Sequence, residues 1–159
     1  MGQALSRRSF LRLGAAPSVP SVRPPWASED FIRLCDGCGA CLTACSPRLL
    51  RRDGEGLPIA DFSAASCDLC GDCLTVCTRG ALVRSDDDAP WSLRAEIGRD
   101  CLSWHGVTCR VCGDFCETRA IRFPLTVGGG VRPELDVAAC TGCGACIAPC
   151  PAQAIEMKG

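Results

Sequence analysis

The sequence predicts an α+β fold of two small modules in tandem, stapled internally instead of being built round a large apolar core. Three observations carry that expectation. All 16 cysteines fall into four groups, each ending in the same C-x₂-C-x₃-C run. The aromatic complement is thin, with 3 tryptophans, 5 phenylalanines and no tyrosine in 159 residues, so domains of this size need staples beyond burial. A hairpin signal follows the first cysteine group and another the third. In the first, residues 49–52 and 57–59 flank Asp53-Gly54-Glu55-Gly56; in the second, residues 121–127 and 131–135 flank Gly128-Gly129-Gly130.

The cysteine spacing names the staple. Cys35, Cys38, Cys41 and Cys45 stand at C-x₂-C-x₂-C-x₃-C, as do Cys67, Cys70, Cys73 and Cys77, and again Cys140, Cys143, Cys146 and Cys150. This is the spacing with which bacterial ferredoxins hold [4Fe–4S] clusters. A cubane presents one iron at each of four corners, and each iron takes a thiolate. Three ligands come from one short loop and the fourth from elsewhere; in two-cluster ferredoxins it is the last cysteine of the other motif. By that rule Cys77 joins Cys35, Cys38 and Cys41, while Cys45 joins Cys67, Cys70 and Cys73. In the third group Cys101 stands eight residues before Cys109, so residues 102–108 are an insertion in the ligand loop. The same rule puts Cys150 with Cys101, Cys109 and Cys112, and Cys116 with Cys140, Cys143 and Cys146. Three or four [4Fe–4S] clusters are therefore expected, the count turning on the widened group.

Taken in order, residues 1–34 read as a flexible arm rich in Arg, Ser and Pro. Residues 35–88 form the first two-cluster, ferredoxin-like module, 89–100 a linker after the charged break Ser85-Asp86-Asp87-Asp88, and 101–159 the second module. Short helices are expected at 41–45 and 73–77. Gly39, Gly71, Gly113 and Gly144 are expected to take positive φ and let the loop backbone approach the clusters. Five residues after each final cysteine comes an aliphatic residue, Leu50, Leu82, Ile121 or Ile155, expected to open a covering strand. Pro151 follows Cys150 as the ferredoxin pattern has it, whereas Ser46, Thr78 and Glu117 hold the corresponding places.

Other chemistries fit less well. Zinc knuckles use paired cysteines and would leave a third cysteine redundant in each group. A disulfide scaffold suits secreted chains, but cysteines three residues apart pair poorly within a group. A net charge of −1, from 17 basic and 18 acidic residues, offers no basic surplus for nucleic acid. No run of about 18 apolar residues is present, so no membrane span is expected. His105 is the only histidine and lies in the Cys101–Cys109 loop, where it reads as a loop residue, so no acid–base or triad enzyme is indicated. Trp26, Trp91 and Trp104 read as packing residues. The Gly128–Gly130 run lacks the Gly-Lys-Ser/Thr of a phosphate loop.

The arm holds Ser6-Arg7-Arg8-Ser9-Phe10-Leu11-Arg12, similar to a twin-arginine export signal. The stretch behind it, 13–22, is short and broken by Pro17 and Pro20, which favours a docking arm on a cytoplasmic protein over an export signal. The arm, Arg23-Pro24-Pro25-Trp26, the widened third group and the Cys-Pro ending of the fourth together resemble the NapF family, ferredoxin-type accessory proteins of periplasmic nitrate reductase systems. The resemblance spans nearly the whole chain. It implies a cytoplasmic iron–sulfur protein that acts on the catalytic subunit NapA before export, in maturing or reducing its cofactors. The other reading is a polyferredoxin that passes single electrons between redox enzymes.

Overall fold

The computed structural model describes residues 22–84, 89–124 and 130–159. Arg7, Arg8 and the rest of the twin-arginine-like segment lie outside the described residues, as do Asp86, Asp87 and Asp88, and Gly128 and Gly129 of the second hairpin's turn.

Among the described residues the regular elements are short. The helices there are α1 (Phe31–Leu34), α2 (Ala40–Ala44), α3 (Asp72–Thr75) and α4 (Val111–Asp114), with a 3₁₀ turn at Leu102–His105. Each is about one turn, far below the length at which a helix holds itself in water. Among the described residues the strands form three antiparallel pairs. β1 (Leu50–Arg52) pairs with β2 (Pro58–Ala60), matching Leu50 to Ala60. β4 (Ile121–Arg122) pairs with β5 (Glu134–Leu135), matching Ile121 to Leu135. β3 (Arg94–Ile97) pairs with the last strand, β6 (Ile155–Lys158), matching Ile97 to Ile155.

Local chemistry explains the first hairpin. Asp53 Oδ1 accepts from the backbone N–H groups of Glu55 and Leu57, each at 2.9 Å, an Asx-type turn that closes the loop. Arg23 donates to Asp53 Oδ2 at 2.7 Å and holds that carboxyl below its usual range. In β6 the alternation is plain: Ile155 and Met157 are buried, Glu156 and Lys158 exposed, as expected for a strand with one covered face.

Two segments outside the expected modules, the described part of the arm and the connector, pack against them. Val22 bridges to Ala60 and Ala27 to Leu82, and Pro24, Trp26 and Phe31 are buried. The Pro-Pro segment removes N–H donors and stiffens the chain, so it packs as a strap. The linker at 89–100 contains β3, whose Arg94-Ala95-Glu96-Ile97 alternation is a weak strand signal beside the charged break. Strap and connector also meet: Trp26 N–H donates to Pro90 O at 2.8 Å and Trp91 Nε1 to Arg23 O at 3.1 Å.

Leu50, Leu82, Ile121 and Ile155 are all 5–6% exposed. Three of them open strands, and Leu82 makes the bridge to Ala27. The core they join is interleaved with Cys41, Cys73, Cys112 and Cys146. Of the tryptophans, Trp26 is buried but Trp104 is 42% exposed, with Arg132 stacked over it, so the packing expectation fails for Trp104.

Candidate cluster sites

Each ligand loop is shaped before any cluster is considered. Gly39 and Gly71 stand at φ 82 and 80 and cap α2 and α3 at their N-termini. A left-handed residue there lets the chain turn from extended loop to helix within one step, which a side chain would resist. The turn of helix then carries the third cysteine inward. Cys41, Cys73, Cys112 and Cys146 are buried in every group, whereas Cys38 and Cys70 are exposed.

Gly113 departs from the expectation. It follows Cys112, the third cysteine, not the second, and lies inside α4 without positive φ. Arg110 takes the place after Cys109, at φ −130. What Gly113 provides is room, since a Cβ there would sit 2.9 Å from the Phe123 ring.

The loops bring cysteines together across groups. One pocket is lined by Cys35, Cys38, Cys41 and Cys77, with Phe31 and Leu82 among its walls. A second is lined by Cys101, Cys109, Cys112 and Cys150. A third is lined by Cys116, Cys140, Cys143 and Cys146. The remaining four, Cys45, Cys67, Cys70 and Cys73, are neighbours as well. Burial pushes the Cys67 thiol up to about 11, aided by Cys70 and Cys45. Burial likewise pushes Cys73 up to about 12, with Cys67, Cys41, Cys45 and Cys70 adding to it.

The third cysteines of the other three groups behave alike. Cys112 is pushed up to about 11 by burial and then by Cys101, Cys150 and Cys109. Cys146 is pushed up to about 12 by burial and then by Cys143. Cys41 is pushed up to about 11 by burial, then by Cys35 and Cys38. Four sulfurs crowded in an apolar pocket are costly as bare thiolates, and cationic iron at the same point reverses that cost. Among the described residues no three His, Cys, Asp or Glu side chains converge as they would on a single metal ion. Sulfurs ranged round a cavity suit a cubane with separated irons, and the donor set fits it.

Donors also reach the sulfurs. The Leu69 N–H points at Cys67 Sγ and the Ala154 N–H at Cys150 Sγ, both at 3.4 Å. Such contacts favour the thiolate and tune a bound cluster.

The widened loop closes on itself. Its 3₁₀ turn ends at Gly106, φ 79, Val107 N–H returns to Leu102 O at 3.1 Å, and buried Ser103 donates through Oγ to Cys109 O at 2.8 Å. The extra residues are thus taken up in one compact turn, leaving Cys101 and Cys109 on the same cavity. His105 Nε2 bonds to Arg99 O at 3.0 Å and lines none of these cavities. Sequence reasoning missed Ser103, for which a lone serine in a loop gives no signal. Ser103→Ala leaves the Cys109 carbonyl without this partner, a loss of about 1 kcal/mol. The expected result is lower iron occupancy of this site alone under mild chelation, read by iron analysis and EPR.

Residues 34–81 match the 4Fe-4S dicluster domain family and residues 133–156 the 4Fe-4S binding domain family. The chain is 40% identical to the ferredoxin-type protein NapF of Haemophilus influenzae, over 97% of this chain and 94% of that protein. It is 37% identical to NapF of Escherichia coli K12, over 96% and 94%. The methylamine utilization ferredoxin-type protein MauM of Methylorubrum extorquens is 31% identical, over 92% and 75%. Fold, cysteine framework and matched domains define a ferredoxin-type iron–sulfur protein that carries multiple [4Fe–4S] clusters. Within that class the chain belongs to the NapF family. Among the described residues no helix is long and apolar enough to cross a membrane.

Proposed function

We propose that this protein is a cytoplasmic, non-enzymatic accessory of the periplasmic nitrate reductase system, which reduces the cofactors of the catalytic subunit NapA before export. In this reading the sixteen cysteines ligate four [4Fe–4S] clusters in two modules, 35–88 and 101–159, with each fourth ligand crossing between the groups of one module. A bound [4Fe–4S] cluster supplies one-electron transfer. The chain fixes where the electron enters and leaves, and keeps water and oxidants from the buried sulfurs.

The observation that carries the choice of reduction over delivery is the burial of Cys41, Cys73, Cys112 and Cys146 in the core. A cluster held by these cannot be handed on without opening the module round it, which suits retention. The partner rests on the relatives' name. The match to MauM favours a second reading, a general electron carrier, because a similar framework is found in a protein named for methylamine utilization.

The test is capture from cytoplasmic extract with the cluster-loaded chain as bait, followed by cycles of reduction against apo-NapA. The reading expects NapA among the captured proteins and an unchanged iron content in the bait. Iron moving from bait to client overturns reduction in favour of delivery.

The arm gives a further expected result. Replacing Arg7 and Arg8 by Ala leaves cluster content unchanged and weakens client binding, each lost bidentate contact to a carboxylate being worth about 1.5–3 kcal/mol. The binding is read by titration calorimetry. Untagged protein found in the periplasm, retained inside by the double substitution, overturns the cytoplasmic assignment.

A further inference from the structure

The two modules meet at the ligand loops themselves. The Cys67 N–H donates to the Cys143 carbonyl at 2.8 Å, and these residues belong to different sulfur groups, one with Cys45, Cys70 and Cys73, the other with Cys116, Cys140 and Cys146. Among the described residues no other hydrogen bond joins cysteines of different modules. The contact is held by an aromatic wedge. Phe62, 7% exposed and just beyond β2, lies on the loop next to Cys143, so close that a Cβ at Gly144 would fall within its ring. The same ring meets Trp91 edge-on, centroids 5.5 Å apart, and Trp91 is tied back to the strap through Arg23 O. A first-module side chain is thus clamped between a second-module ligand loop and the connector.

We propose that this junction is an electron bridge, and that Phe62 is the residue that positions it. The path runs from Cys67 Sγ through Cβ, Cα and the N–H, across the hydrogen bond to the Cys143 carbonyl, then through Cα and Cβ to Cys143 Sγ. Electrons tunnel more readily through covalent and hydrogen bonds than across a gap. One electron crosses at a time: the donating site goes from the +1 to the +2 core state, the accepting site from +2 to +1, with no proton, bond or ligand exchanged. The inner sites of the two modules are then joined. The outer sites, those of Cys35, Cys38, Cys41 and Cys77 and of Cys101, Cys109, Cys112 and Cys150, become the two ends of one conduit. This inference rests on the cluster ligation proposed above.

The experiment uses the full chain, purified anaerobically and reduced with dithionite. Iron and sulfide are measured first, then the EPR spectrum. Cys73→Ala and Cys146→Ala each perturb one of the two facing sites; the spin-coupled component lost in both is the coupling between modules. The bridge predicts such a component in the unmodified chain, and its loss in Phe62→Ala at unchanged iron content. Phe62→Leu, which keeps most of the buried volume, serves if the alanine variant does not fold, and weakens the component. A chain without iron overturns the cluster reading and the bridge with it. Full iron content with no shared component overturns the bridge alone. A Phe62 variant that loses thermal stability but keeps the component shows mere packing and overturns the positioning role.

Discussion

Cys45→Ala empties the site of Cys67, Cys70 and Cys73, not the one formed by its own neighbours Cys38 and Cys41. Cys45 raises the thiol pKa of both Cys67 and Cys73, whereas the cavity of Cys35, Cys38 and Cys41 receives Cys77 instead. The reciprocal variant, Cys77→Ala, therefore strikes the first site. Cys150→Ala strikes the site of Cys101, because Cys150 lies in that cavity and acts on Cys112. A cubane holds four irons, so a full chain carries about 16 and each variant about 12. Iron and sulfide analysis gives the count, and EPR of the reduced protein shows which site is missing. If each alanine removes only the cluster of its own sequence group, the crossed modules are wrong; zinc in place of iron removes the cluster reading entirely.

The legible parts of this chain were those fixed by local spacing. The first hairpin could be read because Asp53 and two glycines make a turn whose chemistry is contained in four residues, and Leu50 and Leu82 because a fixed step from the last cysteine sets their place. What escaped were contacts between segments far apart in sequence. β3 pairs with β6 across about sixty residues, which no local pattern encodes. Phe62 reads as one more apolar residue after a strand, and only the fold places its ring on Gly144. Gly113 shows the limit of reading by repeat: it follows the third cysteine of its group, so a residue that resembles the others in type serves close packing against Phe123 instead of a left-handed turn. Trp104 was misplaced because the insertion in the third group carries it out to the surface under Arg132.

Removing the iron unfolds the chain. Among the described residues the helices are single turns and each sheet has two strands, elements that are marginal alone. Among the described residues the core holds few large side chains, Trp26, Phe31 and Phe62 among them, and it is interleaved with Cys41, Cys73, Cys112 and Cys146. Ligation to iron is folding free energy in a chain built this way, so stripping the clusters removes a large part of a small domain's stability, about 5–15 kcal/mol in all. The released thiols at Cys41, Cys73, Cys112 and Cys146, raised to about 11–12, stay protonated at neutral pH and add no repulsion there. The loss of structure therefore comes from lost ligation rather than charge. With an iron chelator at pH 7 the expected result is one loss of secondary structure by circular dichroism, following the loss of visible absorbance. A stripped chain that keeps its spectrum and a cooperative melting transition overturns cluster-dependent folding.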